Sequence, residues 1–205
     1  QVVTFSHLGY IKRTTMESYR TQKRGGTGRT AMATRDQDFV TDIFVANTHD
    51  LLLVFTSRGR LYRMPVHEVP EASPQAKGKP IVNLVNLDPG ETIATIMSVR
   101  NFDGEDDLVF LSQRGFVKRT PLSAYGNIRA AGLNAVDIMD GDELLTVERT
   151  PRAADLLIST RSGRAARFAG SAVRVMGRVS RGVRGIRLRN DADGVVDLSV
   201  LGADE

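Results

Sequence analysis

The sequence predicts an all-β fold: a propeller-like repeat of about four blades, each of about four antiparallel strands. Three observations predict it. A glycine-anchored pattern recurs four times; short aliphatic or β-branched runs end at glycine turns; no apolar stripe of helical period lasts three turns.

The repeat comes first, because a missed period misreads the whole fold. Gly9, Gly59, Gly115 and Gly163 are spaced by 50, 56 and 48 residues. Three residues before each stands a hydroxyl (Ser6, Thr56, Ser112, Thr160), and seven before it an aliphatic (Val2, Leu52, Leu108, Leu156). Four after each stands an arginine: Arg13, Arg63, Arg119, Arg167. A second glycine follows at Gly28, Gly78, Gly132 and Gly182, offset by 19, 19, 17 and 19 residues. The modules run over about 1–48, 49–104, 105–152 and 153–205, as a single repeat domain.

Within each module the reading is β. Leu51–Thr56, Leu108–Ser112 and Leu156–Thr160 are strand-length runs, and turns through Arg58-Gly59, Arg114-Gly115 or Ser162-Gly163 lead into second strands such as Arg60–Met64 and Phe116–Thr120. A further hairpin is read from Ile81–Leu87 and Thr92–Val99 around Asp88-Pro89-Gly90. The anchor glycines are read as turn residues only. Seven prolines and 19 glycines punctuate the chain too often for long helices.

Composition narrows the function classes. With 41% hydrophobic and 25% charged residues the chain is globular, and no run approaches the ~20 apolar residues of a membrane span. The start Gln1-Val2-Val3 lacks the charged and apolar regions of a secretory signal, and the absence of an initial Met suggests a piece excised from something larger. There is no cysteine, so disulfides, thiolate metal sites and cysteine nucleophiles are excluded, which suits a reducing compartment. His7, His49 and His67 have no metal-ligand spacing, and neither a phosphate loop nor an acid–base pair stands out. No cofactor, metal or catalytic residue is expected.

Net charge is only +4, but charge is sorted along the chain. Gly9 to Arg35 holds seven basic residues and one acid, Glu17; Thr160 to Arg189 holds nine arginines and no acid. Asn83 to Phe110 reverses this, with six acids against Arg100 alone. Basic clusters at matching repeat positions can give a folded domain an edge of one sign.

The segment Gln22-Lys23-Arg24-Gly25-Gly26-Thr27-Gly28 resembles the seven-residue box of the C-terminal domain of bacterial DNA gyrase A. Leu8–Arg13, Glu68–Ala72 with Lys77-Gly78, Gly115–Thr120, and Arg174–Arg178 with Gly182–Ile186 are also similar to that family, so the resemblance covers all 205 residues in order. Thr27 departs from the pattern, which carries a basic residue there, although Arg29 follows closely. The family's domain usually has six blades and four are counted here; the final two are expected to have been left out of this piece, the alternative being a naturally short homologue.

The resemblance implies a β-pinwheel whose blades exchange hairpins and whose outer rim bends duplex DNA for a type IIA topoisomerase. ATP hydrolysis and the cleavage tyrosine would lie elsewhere in an A2B2 assembly, with the remainder of gyrase A and gyrase B as partners in the bacterial cytoplasm. DNA contact is expected from Lys12, Arg13, Gln22, Lys23, Arg24, Gly25, Gly26, Gly28, Arg29, Arg63, Lys77, Lys118, Arg119, Arg129, Arg167, Arg178, Arg181 and Arg184. Lys and Arg would meet phosphates, and glycines would let backbone N–H groups approach. The box is expected to enable wrapping more than bare binding.

Alternatives stand beside these roles. The arginine four residues after each anchor glycine could instead clamp a carboxylate of the adjoining blade, and Arg178, Arg181, Arg184 and Arg187 could form a merely solvated edge. Rival functions are the C-terminal domain of topoisomerase IV, which lacks an intact box, and a propeller that binds protein partners. The latter would expose aromatics; tryptophan is absent and aromatics are 6%.

Overall fold

A computed structural model of the chain describes residues 1–19, 32, 38–129 and 131–202. The strands are β1 (Val2–Ser6), β2 (Tyr10–Thr14), β3 (Val40–Val45), β4 (Leu51–Thr56), β5 (Arg60–Pro65), β6 (Lys79–Pro80), β7 (Ile93–Val99), β8 (Asp107–Ser112), β9 (Phe116–Pro121), β10 (Leu133–Asn134), β11 (Leu144–Thr150), β12 (Asp155–Thr160), β13 (Ala165–Ala169), β14 (Val183–Arg184) and β15 (Val195–Leu201). They form four antiparallel sheets in the orders β3-β1-β2-β6, β10-β5-β4-β7, β11-β8-β9-β14 and β13-β12-β15. The helical residues described are short 3₁₀ turns. The fold is all-β and of the propeller kind that the repeat predicts.

Each sheet is built on a hairpin that crosses an anchor glycine. In the first three sheets, the strand beyond that hairpin comes from the following module: β6, β10 or β14. Each donated strand is two residues long, too short to carry a hydrophobic period. One strand expectation fails here. Ile81–Asn83 is a 3₁₀ turn, with the amides of Leu84 and Val85 both donating to Ile81 O, so the run Ile81–Leu87 does not form a strand. Pro80, with φ −61°, holds the chain extended immediately before it.

The backbone falls into two compact units. The first comprises Gln1–Leu53, Met64–Asp88 and Ile96–Arg100. Here β1 lies between β2 and β3 with all five residues buried, and β2 receives β6 through Tyr10↔Pro80 and Ile11↔Lys79. The second comprises Val54–Arg63, Pro89–Thr95 and Asn101–Glu205. Here β8 lies between β9 and β11 and is wholly buried, as an aliphatic strand covered on both faces should be. Val109, Leu111, Val117, Leu156, Ile158, Val173, Ile186, Val195 and Leu198 form one core across the third and fourth modules. Phe110 adds an edge-to-face contact with Phe55 at 5.6 Å and a tilted one with Tyr125 at 5.9 Å.

Candidate nucleic-acid interface

The anchor turn repeats in atomic detail. The amides of Gly9, Gly59, Gly115 and Gly163 donate to the carbonyls of Ser6, Thr56, Ser112 and Thr160. The hydroxyls of those four residues accept from the amides of Tyr10, Arg60, Phe116 and Arg164, which accounts for the recurring spacing of hydroxyl and glycine. An aspartate closes three of the turns: Asp38 accepts from Leu8 N, Asp142 from Arg114 N and Asp193 from Ser162 N. The amides around Asp193, led by that of Arg189, hold its carboxyl down at about 2. In the second module Glu91 takes this place through the Thr56 hydroxyl.

The reading of the anchor glycines as turn residues alone is incomplete. Gly115 has φ +85°, and a Cβ built there would lie 2.7 Å from Ile186 O. Its carbonyl accepts from Gly185 N, beside the donated strand β14. Gly59 and Ala135 are related in the same way through Gly59 O. The glycine permits the turn and also makes room for the next module's backbone.

Lys12 and Lys118 are corrected by the structure: both are expected at phosphate, and both are buried, 0% and 1% exposed. Each points inward from its strand to backbone carbonyls, those of the next module for Lys12 and those of its own and the next module for Lys118. Lys12 Nζ donates to Ser73 O at 2.8 Å and Pro74 O at 2.6 Å. Lys118 Nζ donates to Ala135 O and Arg178 O at 2.5 Å and to Gly177 O at 3.3 Å, 4.7 Å from the centre of the Phe110 ring. Burial lowers both pKa values, that of Lys118 to about 7.

Arg119 is corrected as well. It is 7% exposed, pairs with Asp107 Oδ2 at 2.5 Å and donates to Gly170 O at 2.8 Å. Arg13, mostly covered, pairs with Glu71 at 2.7 Å and donates to Val69 O at 2.8 Å. Arg13 follows the clamp alternative, since Glu71 belongs to the next module; Arg119 pairs with Asp107 of its own module and reaches the next one only at Gly170 O. Arg167 also faces a carboxylate, Asp155 at 3.0 Å, but is half exposed. Arg63 is exposed and makes no ion pair among the described residues.

The exposed candidates gather on one recurring feature, the loop around the second glycine. Lys77 precedes Gly78, Arg129 stands three residues before Gly132, and Arg181 precedes Gly182; all three are exposed. Each loop runs into the donated strand, so its backbone is fixed where β6, β10 or β14 joins the neighbouring sheet. Arg178 and Arg184 extend the set in the fourth module. Arg181 shares Asp137 Oδ2 between Nε at 3.1 Å and Nη2 at 2.8 Å, and Arg184 lies 4.7 Å from the centre of the Phe116 ring. Gln22, Lys23, Arg24, Gly25, Gly26, Gly28 and Arg29 lie outside the described residues.

Sequence reasoning misses several other exposed arginines. Arg58 and Arg114 precede the anchor glycines and donate to Pro89 O and Gly141 O; Arg164 donates to Arg187 O. The recurring Arg-Gly dipeptide is the available signal, and it reads first as a turn. Among the described residues no helix is long and apolar enough to cross a membrane.

Comparison with known proteins places these features in a family. The family model for the DNA gyrase C-terminal domain, β-propeller, matches residues 1–47, 50–100, 106–151 and 154–201. The chain is 44% identical to the DNA gyrase A protein of Salmonella typhimurium over 199 residues, 97% of this chain and 23% of that one. It is 44% identical to the DNA gyrase A protein of Clostridium acetobutylicum over 184 residues, 90% and 22% of the respective chains. It therefore spans less than a quarter of the curated relatives it matches. Among solved structures, the C-terminal domain of a DNA topoisomerase IV superposes with a TM-score of 0.83 at 29% identity, covering 98% of this chain and 61% of that one. A DNA gyrase A C-terminal domain superposes with 0.73 at 25% identity, covering 97% and 64%.

Proposed function

This chain belongs to the DNA gyrase C-terminal domain, β-propeller family, and from that premise we propose that it binds and bends duplex DNA without reading base sequence. The observation that supports this best is the exposed cation on the second-glycine loop of three successive modules: Lys77, Arg129 and Arg181. Arg63, Arg167, Arg178 and Arg184 add to them, and Gln22, Lys23, Arg24, Gly25, Gly26, Gly28 and Arg29 supply the first module's share. Each cation that meets a phosphate releases condensed counterions, an affinity indifferent to base identity. Arg13 contributes mainly by holding the junction to the second module.

Bending 20–30 base pairs through a large angle costs on the order of 1–6 kcal/mol, so the contacts must be several and distributed. Cations set at one position of a repeat meet that requirement. A duplex held this way would supply a crossing segment to a type IIA topoisomerase. Strand cleavage and ATP hydrolysis would belong to the remainder of gyrase A and to gyrase B, in an A2B2 assembly in the bacterial cytoplasm, and the domain itself would catalyse nothing.

The topoisomerase IV reading draws on the likeness in fold. The match of Gln22–Gly28 to the gyrase box favours gyrase, as does the 44% identity to gyrase A proteins. Binding of the chain to mixed-sequence duplexes across a salt series tests the proposal. The expected log–log slope is about −0.9 per neutralised phosphate, totalling several phosphates, with little difference between duplex sequences. Binding that is absent at low salt, or indifferent to salt, would remove the DNA reading in favour of a protein partner.

A further inference from the structure

We infer that Lys118, and Lys12 in the same way, are positioning residues for DNA contact: each buried ammonium fixes the backbone of the next module's basic loop and touches no phosphate itself. The inference rests on the DNA reading above. The two lysines occupy one repeat position, three residues after the anchor glycine. When protonated, Lys118 Nζ has three N–H groups for three carbonyl acceptors, Ala135 O, Gly177 O and Arg178 O. Among the described residues no carboxylate pairs with it.

Two of those carbonyls belong to the loop that presents Arg178 and Arg181. That loop is tied at one end by Met176 N donating to Arg119 O and at the other by the pairing of Val183 with Val117. Between these ties, Gly177 and Gly182 leave the chain permissive. Lys118 holds the middle from below, while Arg178 and Arg181 remain exposed above. Lys12 does the same with Ser73 O and Pro74 O for the loop that ends in exposed Lys77.

The other two modules supply a comparison within the molecule. The second places Tyr62 at this position, and its ring fills the space against Gly132, where a built Cβ would lie 2.8 Å from Cε1. That loop is held by this packing and by Arg60, whose Nη2 donates to Ala131 O at 2.9 Å, in place of a lysine beneath it. The fourth module places Ala166 there.

A double-variant cycle on the whole 205-residue chain tests the inference, read by the salt dependence of binding to a mixed-sequence duplex. Lys118→Met, with its β-sheet circular dichroism kept, should weaken binding about three- to tenfold and shorten the log–log slope by about one phosphate. Added to Arg178→Ala/Arg181→Ala, the same change should cost nothing further, because the residues it positions are already gone. A fully additive loss would mean that Lys118 meets phosphate directly, and an unchanged affinity would mean that it positions nothing; either result overturns the inference while the DNA reading stands. If wild-type chain fails to bind, the DNA reading falls and takes this one with it. Should Lys118→Met not fold, Lys12→Met combined with Lys77→Ala gives the same cycle at the first junction.

Discussion

At the scale of single residues, the fold asks different things of glycines that look alike in the sequence. Gly115 and Gly163 both sit at positive φ, +85° and +79°. Only Gly115 has neighbouring backbone against its α-carbon; nothing lies within 4 Å of a Cβ built at Gly163. Gly163→Ala should therefore cost about 1 kcal/mol, the ordinary strain of a left-handed alanine. Gly115→Ala should cost about 2–4 kcal/mol, because strain and a clash with Ile186 O combine. Urea unfolding of the two variants checks the difference, and equal losses would contradict the exchange contact.

Lys118 gives a second test at this scale, through pH. Burial depresses its folded pKa from 10.5 to about 7, so between those values the unfolded chain keeps a proton that the folded chain has released. Stability should accordingly rise with pH across that window, relative to Lys118→Met, with a slope below about 1.4 kcal/mol per pH unit. Below pH 7 both states hold the proton and the difference should level off. Denaturant midpoints of the two proteins at several pH values measure it. The residue scale is also where the sequence is least legible. Serine or threonine three residues before glycine is local, and its turn can be read directly. The acceptors of Lys118 are a loop 59 and 60 residues away and Ala135 O, and no one-dimensional pattern shows that a lysine points into a cage of carbonyls.

At the scale of elements, the central hairpin of each module is legible in the chain, because its strands are long enough to show an apolar run and its turn has glycine. Concealed are β6, β10 and β14. A two-residue strand has no period, and its partner lies in another module. The second glycine is the trace they leave. It marks where the loop must approach the neighbouring strand closely, as at Gly182, where a built Cβ would also lie 3.1 Å from Lys118 Cβ. Arginine roles divide by the same geometry. Arg13 and Arg119 stand on strands crossed by the following module and are covered by it, whereas Lys77, Arg129 and Arg181 stand on the crossing loops and stay exposed.

At the scale of the whole molecule, sorted charge and repeat both support the proposed DNA binding, and the described residues narrow the set of cations open to a phosphate. Surface ion pairs such as Arg181 with Asp137 and Arg167 with Asp155 are weak in water, so a phosphate can compete for those guanidinium groups. The buried Arg119–Asp107 pair cannot exchange partners at comparable cost. The exposed second-glycine cations are proposed to hold DNA. The most direct test is the salt dependence of duplex binding by Lys77→Ala/Arg129→Ala/Arg181→Ala beside the unaltered chain. The log–log slope of the triple variant should be shallower by about 2.7, three phosphates at about 0.9 each, with the fold unchanged. A slope equal to that of the unaltered chain would contradict it and move the DNA contact to some other face of the protein.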